Sequence, residues 1–175
     1  DAFPGEEDPL TYANTQKAIG AFERILLTPS AFDRYLEGDV FALDEVQRKG
    51  LFEFMDHGCT TCHMGVLLGG NMFHKFGVYD EYWKYTKSEN IDEGLAAISG
   101  EPGQKFMFKV PSLRNVEKTF PYYHDGSVME LGEAVRIMGK TQLDQEMSDE
   151  EVANIQAFLK SLTGNVPEEA LQGGA

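Results

Sequence analysis

The sequence is short of three things, and each shortage excludes something. It has no apolar run near the roughly 20 residues that a helix needs to cross a bilayer. Its start, Asp1-Ala2-Phe3-Pro4, has neither the basic residues nor the apolar stretch of a secretory signal. Basic residues are few: 15 Lys and Arg stand against 29 Asp and Glu, a net charge of −14. That excess argues against nucleic acid and anionic membrane as partners. It suits a basic protein surface, or simply keeps the chain in solution. Cysteine is scarce, with two in 175 residues, both inside one pentapeptide. The remainder, 42% hydrophobic and 25% charged, is the composition of one ordinary globular domain, or of one domain with an appendage.

The pentapeptide is Cys59-Thr60-Thr61-Cys62-His63. It reads C-x-x-C-H, the attachment signature of c-type haem. Each thiol can add to one vinyl group of the porphyrin as a thioether, and His63, locked beside them, then coordinates the iron from one face. Two alternatives stay open. A thioredoxin-like pair usually accompanies a βαβ pattern, and none is visible. A zinc site needs more ligands, which only His57 or His74 can supply. Haem c is attached outside the bacterial cytoplasm, so this reading implies a periplasmic chain that is mature or truncated. It also consumes both thiols, leaving none for a disulfide.

Apolar spacing at Ile19, Phe22, Ile25 and Leu26 predicts a helix over 10–27, with Asp8 as cap and Pro9 at its first turn. A short helix through Phe32, Tyr35 and Leu36 ends at Gly38, and a second strong helix spans about 43–56. Gly50 lies inside that helix. It costs about 1 kcal/mol of helix propensity, which points to close approach by another helix. Gly58 ends the helix and delivers the chain into the motif. Beyond it, Gly65, Gly69 and Gly70 let backbone approach a flat cofactor. Phe73 and Phe76 either wall that cofactor or belong to the plain core. Residues 78–110 are the least regular part, a long excursion with an aromatic cluster in which Trp83 is a packing anchor or an electron relay. Arg114 is a candidate to pair a haem propionate, or else a solvated surface residue. Ser127 is placed to cap a helix from 129 to 138 that Gly139 stops. Ser148 and Glu151 form a capping-box pattern for the last helix. The tail 166–175 is expected to be disordered.

Two distant helices repeat one pattern. Ile19-Gly20-Ala21-Phe22-x-x-x-Leu26 matches Ile155-Gln156-Ala157-Phe158-x-x-x-Leu162. The second copy is expected to pack on the helix containing Gly50. The first has no haem motif before it, so residues 1–37 read as the end of an earlier haem domain, followed by a haem domain over 38–165. For the sixth iron ligand, Met138 lies 75 residues beyond His63 and can come round to the far face. Met129, Met107, His124 and His74 are the rivals, and a core position is the plain alternative for any methionine.

Several further motifs carry a resemblance. They are Gly50-Leu51-x-x-Phe54, Gly69-Gly70-x-x-Phe73-x-x-Phe76-Gly77-Val78, Phe108-Lys109-Val110-Pro111-Ser112-Leu113-Arg114-Asn115-Val116, Thr119-x-Pro121-Tyr122-Tyr123-His124-Asp125-Gly126-Ser127 and Ala134-Val135-x-x-Met138-Gly139. With the C-x-x-C-H pentapeptide and Ala157-Phe158-Leu159-x-Ser161-Leu162-Thr163-Gly164 they cover most of residues 9–164. Together they resemble the bacterial di-haem cytochrome c peroxidases and their MauG-like relatives. The resemblance implies an all-α, cytochrome c-like domain around one covalently bound haem c, with an N-terminal helical appendage. It matches the family's C-terminal, high-potential electron-transfer domain, with His63 and Met138 at the axial positions. It implies calcium held partly by backbone oxygens at Thr119 and Pro121, with a further group from a first domain. A small cytochrome c or copper protein would be the electron donor, and the partner domain would carry the peroxidatic haem. That first domain's motif is not in these 175 residues, so this chain alone is expected to transfer electrons with little peroxidase activity, and any calcium to be weak or absent.

Three other readings compete. A stand-alone mono-haem carrier would need Ile19, Phe22 and Leu26 buried against its own domain. An enzyme with an open sixth site would have a high-spin, ligand-accessible iron. A Cys/His metal module would be colourless. An exposed apolar first helix also invites a homodimer.

Overall fold

A computed structural model describes residues 2–171. The first helix, α1 (Tyr12–Glu23), starts later than its sequence pattern suggests, because Thr11 and not Asp8 caps it, accepting from the Asn14 N–H at 3.1 Å. Asp8 instead accepts from the Leu10 N–H in a local turn. The helix also stops before residue 27, and a turn at residues 24–25 leads into extended chain. The apolar face of α1 stays open, with Ile19 54% exposed and Phe22 49%, and Leu26 in the extended chain beyond it is 38% exposed. Helix α2 (Ala31–Leu36) begins with a capping box in which Ser30 and Asp33 hold each other's backbone. Helix α3 (Glu45–Asp56) has a second such box, made by Asp44 and Gln47.

Strands β1 (Phe73–Lys75) and β2 (Met107–Lys109) pair antiparallel, with His74 opposite Phe108. They pinch off the excursion between them, which is ordered. It contains the one-turn helices α4 (Trp83–Thr86) and α5 (Ala96–Ser99). Its centre is Tyr82, fully buried, stacked on Phe76 at 4.7 Å and edge-on to Trp83 at 5.1 Å. The Tyr82 hydroxyl donates to the Asp92 carbonyl, which satisfies its one polar group.

Helix α6 (Leu131–Leu143) corrects two expectations. Ser127 does not cap it; its N–H donates to Asp125 and the helix begins after Glu130. Gly139 does not stop it either. There α6 stays helical, since a glycine inside a helix costs only about 1 kcal/mol; Met147 and Gln145 lie over it, and a Cβ would meet the Met147 Cε at 3.0 Å. The stop falls at Asp144, in the left-handed region at φ +52°. Helix α7 (Asp149–Lys160) carries the Ser148–Glu151 capping box that its sequence announces. Of the tail, residues 168–171 form a last turn, α8 (Glu168–Leu171), and residues 172–175 lie outside the described residues.

The core is built on α3 and α7. Gly50 lets them touch: a Cβ there would lie 1.8 Å from the Asn154 carbonyl oxygen. Phe158 and Leu162 are fully buried and Ile155 nearly so, each contributing about 1.5–3 kcal/mol of apolar burial. The stretch before α3 is tied into this core. Ser30 bridges to Gly164, the Phe32 N–H donates to the Ser161 carbonyl, and the Phe32 ring meets Phe158 edge-on at 5.4 Å.

Candidate haem site

Helix α3 ends in a left-handed turn at Gly58, φ +85°, and the chain then winds through a tight turn over Cys59–Thr61. The Thr61 N–H donates to Gly58 O and the His63 N–H to Cys59 O, both at 3.0 Å. These bonds put the two cysteines on one turn with the imidazole next to them. Both thiols are half-buried. Burial pushes the Cys59 thiol up to about 11 and raises that of Cys62, so both stay protonated at neutral pH.

The orientation of His63 is set by backbone. Its Nδ1 lies 3.2 Å from the Leu68 carbonyl, which accepts an N–H and leaves Nε2 with its lone pair free. Burial lowers the ring's proton affinity, against an opposing pull from the Leu68 and Pro111 carbonyls, so the imidazole is held neutral. Leu68 adopts φ +47° and Gly69 φ +129° to bring that carbonyl round. A Cβ at Gly69 would stand 2.1 Å from the Pro111 oxygen and 3.4 Å from the imidazole Nδ1, so no other residue fits.

Beside His63 opens a cavity of about 310 Å³, walled by Phe32, Leu36, Phe54, Leu68 and Phe158, with Met55, Thr60, Met64 and Gly65 at its margin. A neutral imidazole with its Nε2 free, two thiols on the adjacent turn and an apolar cavity together fit a covalently held porphyrin.

The other residues singled out by sequence lie as follows. Met138 is half-buried on α6 against the core and does not line this cavity. Phe73 is half-exposed on β1, and Phe76 is buried in the Tyr82 cluster, 5.0 Å from Tyr123. Arg114 is engaged by protein: Nη1 is 2.8 Å from Asp33 Oδ2, and Nε donates to Val66 O at 2.9 Å. Thr119 and Pro121 are exposed on a loop, the Thr119 hydroxyl donating to Val116 O at 3.3 Å. His124 stacks on Phe108 at 4.0 Å, and His74 sits in β1. His57 turns to Gln145 and Glu151, at 2.5 and 3.3 Å. Among the described residues no three His, Cys, Asp or Glu side chains are grouped to hold a metal ion, so the ligand set of a zinc site is not assembled. Sequence reasoning missed the Leu68 carbonyl and Asp33. In the sequence Gly69 and Gly70 signal only close approach of backbone to a cofactor, and no residue type announces a carbonyl.

The fold is helix-rich and has a MauG-like structural neighbour. The chain belongs to the cytochrome c peroxidase and MauG-like family. It is 43% identical over 167 residues to the cytochrome c551 peroxidase of Pseudomonas aeruginosa, a match covering 95% of this chain and 48% of that protein. It is 27% identical over 172 residues to the methylamine utilization protein MauG of Methylophilus methylotrophus, covering 90% and 49%. A crystal structure of a MauG-like protein associated with microbial copper homeostasis matches it with a TM-score of 0.75 and 29% identity, across 93% of this chain and 56% of that one. No protein-family model matches the chain. The chain spans about half the length of the curated relatives it matches.

Proposed function

We propose that this chain is the electron-transfer haem domain of a di-haem cytochrome c peroxidase-type protein of the periplasm. The observation that carries the reading is His63, neutral and with Nε2 free beside an apolar cavity, on the same turn as Cys59 and Cys62. Cys59 and Cys62 would hold the haem as thioethers, and His63 and Met138 would be its axial ligands. Such a haem supplies reversible one-electron transfer at the raised potential that His/Met ligation gives. The protein's part is to keep the imidazole neutral and oriented through Leu68, and to exclude water with Phe32, Phe54 and Phe158. Met138 does not line the cavity that His63 lines, so its assignment as the second ligand rests on the sequence and on its place on α6.

The donor would be a small cytochrome c or copper protein, and the acceptor a peroxidatic haem in a preceding half. The exposed Ile19, Phe22 and Leu26 support a missing neighbour, because a stand-alone carrier would bury them. The same face would serve a homodimer. Calcium at Thr119 and Pro121 would need that neighbour's group as well.

The test is the visible spectrum of the ferric and dithionite-reduced protein, with an intact mass. A covalent haem with the weak far-red band of a Met–iron bond is expected. A colourless protein, or a high-spin ferric iron that binds cyanide at once, would overturn the reading.

A further inference from the structure

Arg114 joins two walls of the cavity across its rim. One wall is α2, whose Phe32 and Leu36 face the same space as His63. The other is the loop after His63, which contributes Met64, Gly65 and Leu68. The guanidinium reaches both. Nη1 contacts Asp33 Oδ2 at 2.8 Å and Ser30 Oγ at 3.3 Å on the α2 side, and Nε donates to the Val66 carbonyl at 2.9 Å on the loop side. Its carbon plane lies over the Phe32 ring at 5.8 Å. The arginine side chain is 16% exposed and that of Asp33 29%, so the pair is largely shielded from water.

Asp33 has two duties. The same Oδ2 that meets Arg114 accepts from the Ser30 N–H and hydroxyl, both at 2.7 Å, and so forms the cap that starts α2. Helix α2 is only six residues long and is not stable by itself. Its place against the cavity rests on Phe32, on the backbone bond to Ser161 and on this ion pair. Lysine is not equivalent here, because only a planar fork holds a carboxylate and a carbonyl at the same time.

We infer that Arg114 is a positioning residue for the haem cavity, acting through Asp33 to hold α2 and the Val66 loop together over the His63 side. This is a different role from pairing a propionate, which would not involve Asp33. The inference rests on the haem reading of the cavity for its consequence at the iron, though not for the clamp itself.

The test uses the purified holoprotein and the variants Asp33→Asn, Arg114→Gln, Arg114→Lys and the double variant Asp33→Asn/Arg114→Gln. Two quantities are read: amide hydrogen exchange of residues 31–36 and 64–68, and the haem midpoint potential. Both neutralising variants should speed exchange in the two segments by about tenfold or more, the scale of a lost charge-assisted hydrogen bond. They should also lower the potential as water reaches the porphyrin, while exchange in α7 stays unchanged. The double variant should be no worse than either single one, since both remove one interaction. Arg114→Lys should recover part of the effect. If Asp33→Asn leaves exchange and potential unchanged while Arg114→Gln alters the potential, Arg114 acts elsewhere and the inference fails. Additive effects would overturn it equally. A protein without covalent haem would sink the functional reading, while the exchange measurement would still decide the clamp.

Discussion

Gly50 on α3 and Asn154 on α7 meet backbone to backbone, with the space of one methyl group missing between them. The Asn154 side chain then reaches past the contact to donate to Glu53 at 3.1 Å, so the crossing is held by a hydrogen bond as well as by closeness. Everything around the cavity hangs on this crossing, because α3 leads into the cysteines and α7 supplies Phe158.

Gly50→Ala should therefore destabilise the protein. Alanine favours helix by about 1 kcal/mol. A Cβ placed 1.8 Å from a backbone oxygen, however, forces the helices apart, at about 1–3 kcal/mol net. Gly20→Ala is the control: nothing lies near a Cβ there, so the same change in α1 should be neutral or stabilising. The urea midpoint should fall for Gly50→Ala and hold or rise for Gly20→Ala.

Gly69→Ala should damage the site more than the fold. Its strain falls on the φ +129° turn that brings the Leu68 carbonyl to His63. The expected outcome is a disturbed axial spectrum and lower haem incorporation at only moderate loss of helix, read by visible absorption beside far-ultraviolet circular dichroism.

Phe158→Ala should cost about 3–5 kcal/mol, because the ring is fully buried between Phe32 and Phe54. Phe158→Leu should cost less. Thermal or urea unfolding decides the order.

The Asp33–Arg114 pair sets a dependence on pH. Burial pushes the Asp33 carboxyl up, but the Ser30 and Arg114 hydrogen bonds outweigh it and hold the group below its ordinary 3.8. A depressed carboxyl stabilises the fold above that ordinary value, and the contribution is lost as pH falls through the lower folded one. Unfolding midpoints of wild type and Asp33→Asn should differ at neutral pH and draw together progressively as the pH is taken below 3.8.

Met138→Ala should abolish the far-red band and lower the midpoint potential, within the roughly 0.8 V range over which axial ligands set haem potentials. An unchanged spectrum would transfer the ligand role to another side chain.

Much of this architecture was legible because its signals are local. The capping box at Ser148, the glycine that ends α3 and the C-x-x-C-H turn each need only a few neighbouring residues. Gly50 was legible for a different reason: a glycine inside a good helix has few other uses. The misplaced boundaries have physical causes. Gly139 stays inside α6 because a glycine is a weak stop on its own, and the Met147 contact over it comes from the next segment, which its own neighbours do not reveal. Thr11 displaced Asp8 as cap, since both residue types cap and only geometry chooses between them. At the site, Arg114 reads in the sequence as a propionate partner or a solvated surface residue, because its partner Asp33 lies 81 positions away and no pattern links them.

The cavity takes Phe32 from the early part of the described chain and Phe158 from near its end, with the cysteines between them and much nearer the former. A chain emerging in order thus presents its thiols long before its pocket exists, and the last wall arrives only when residue 158 is free. The covalent attachment proposed for Cys59 and Cys62 would suit such a schedule: a tether fastened early would keep its cargo through the interval in which no folded surface could.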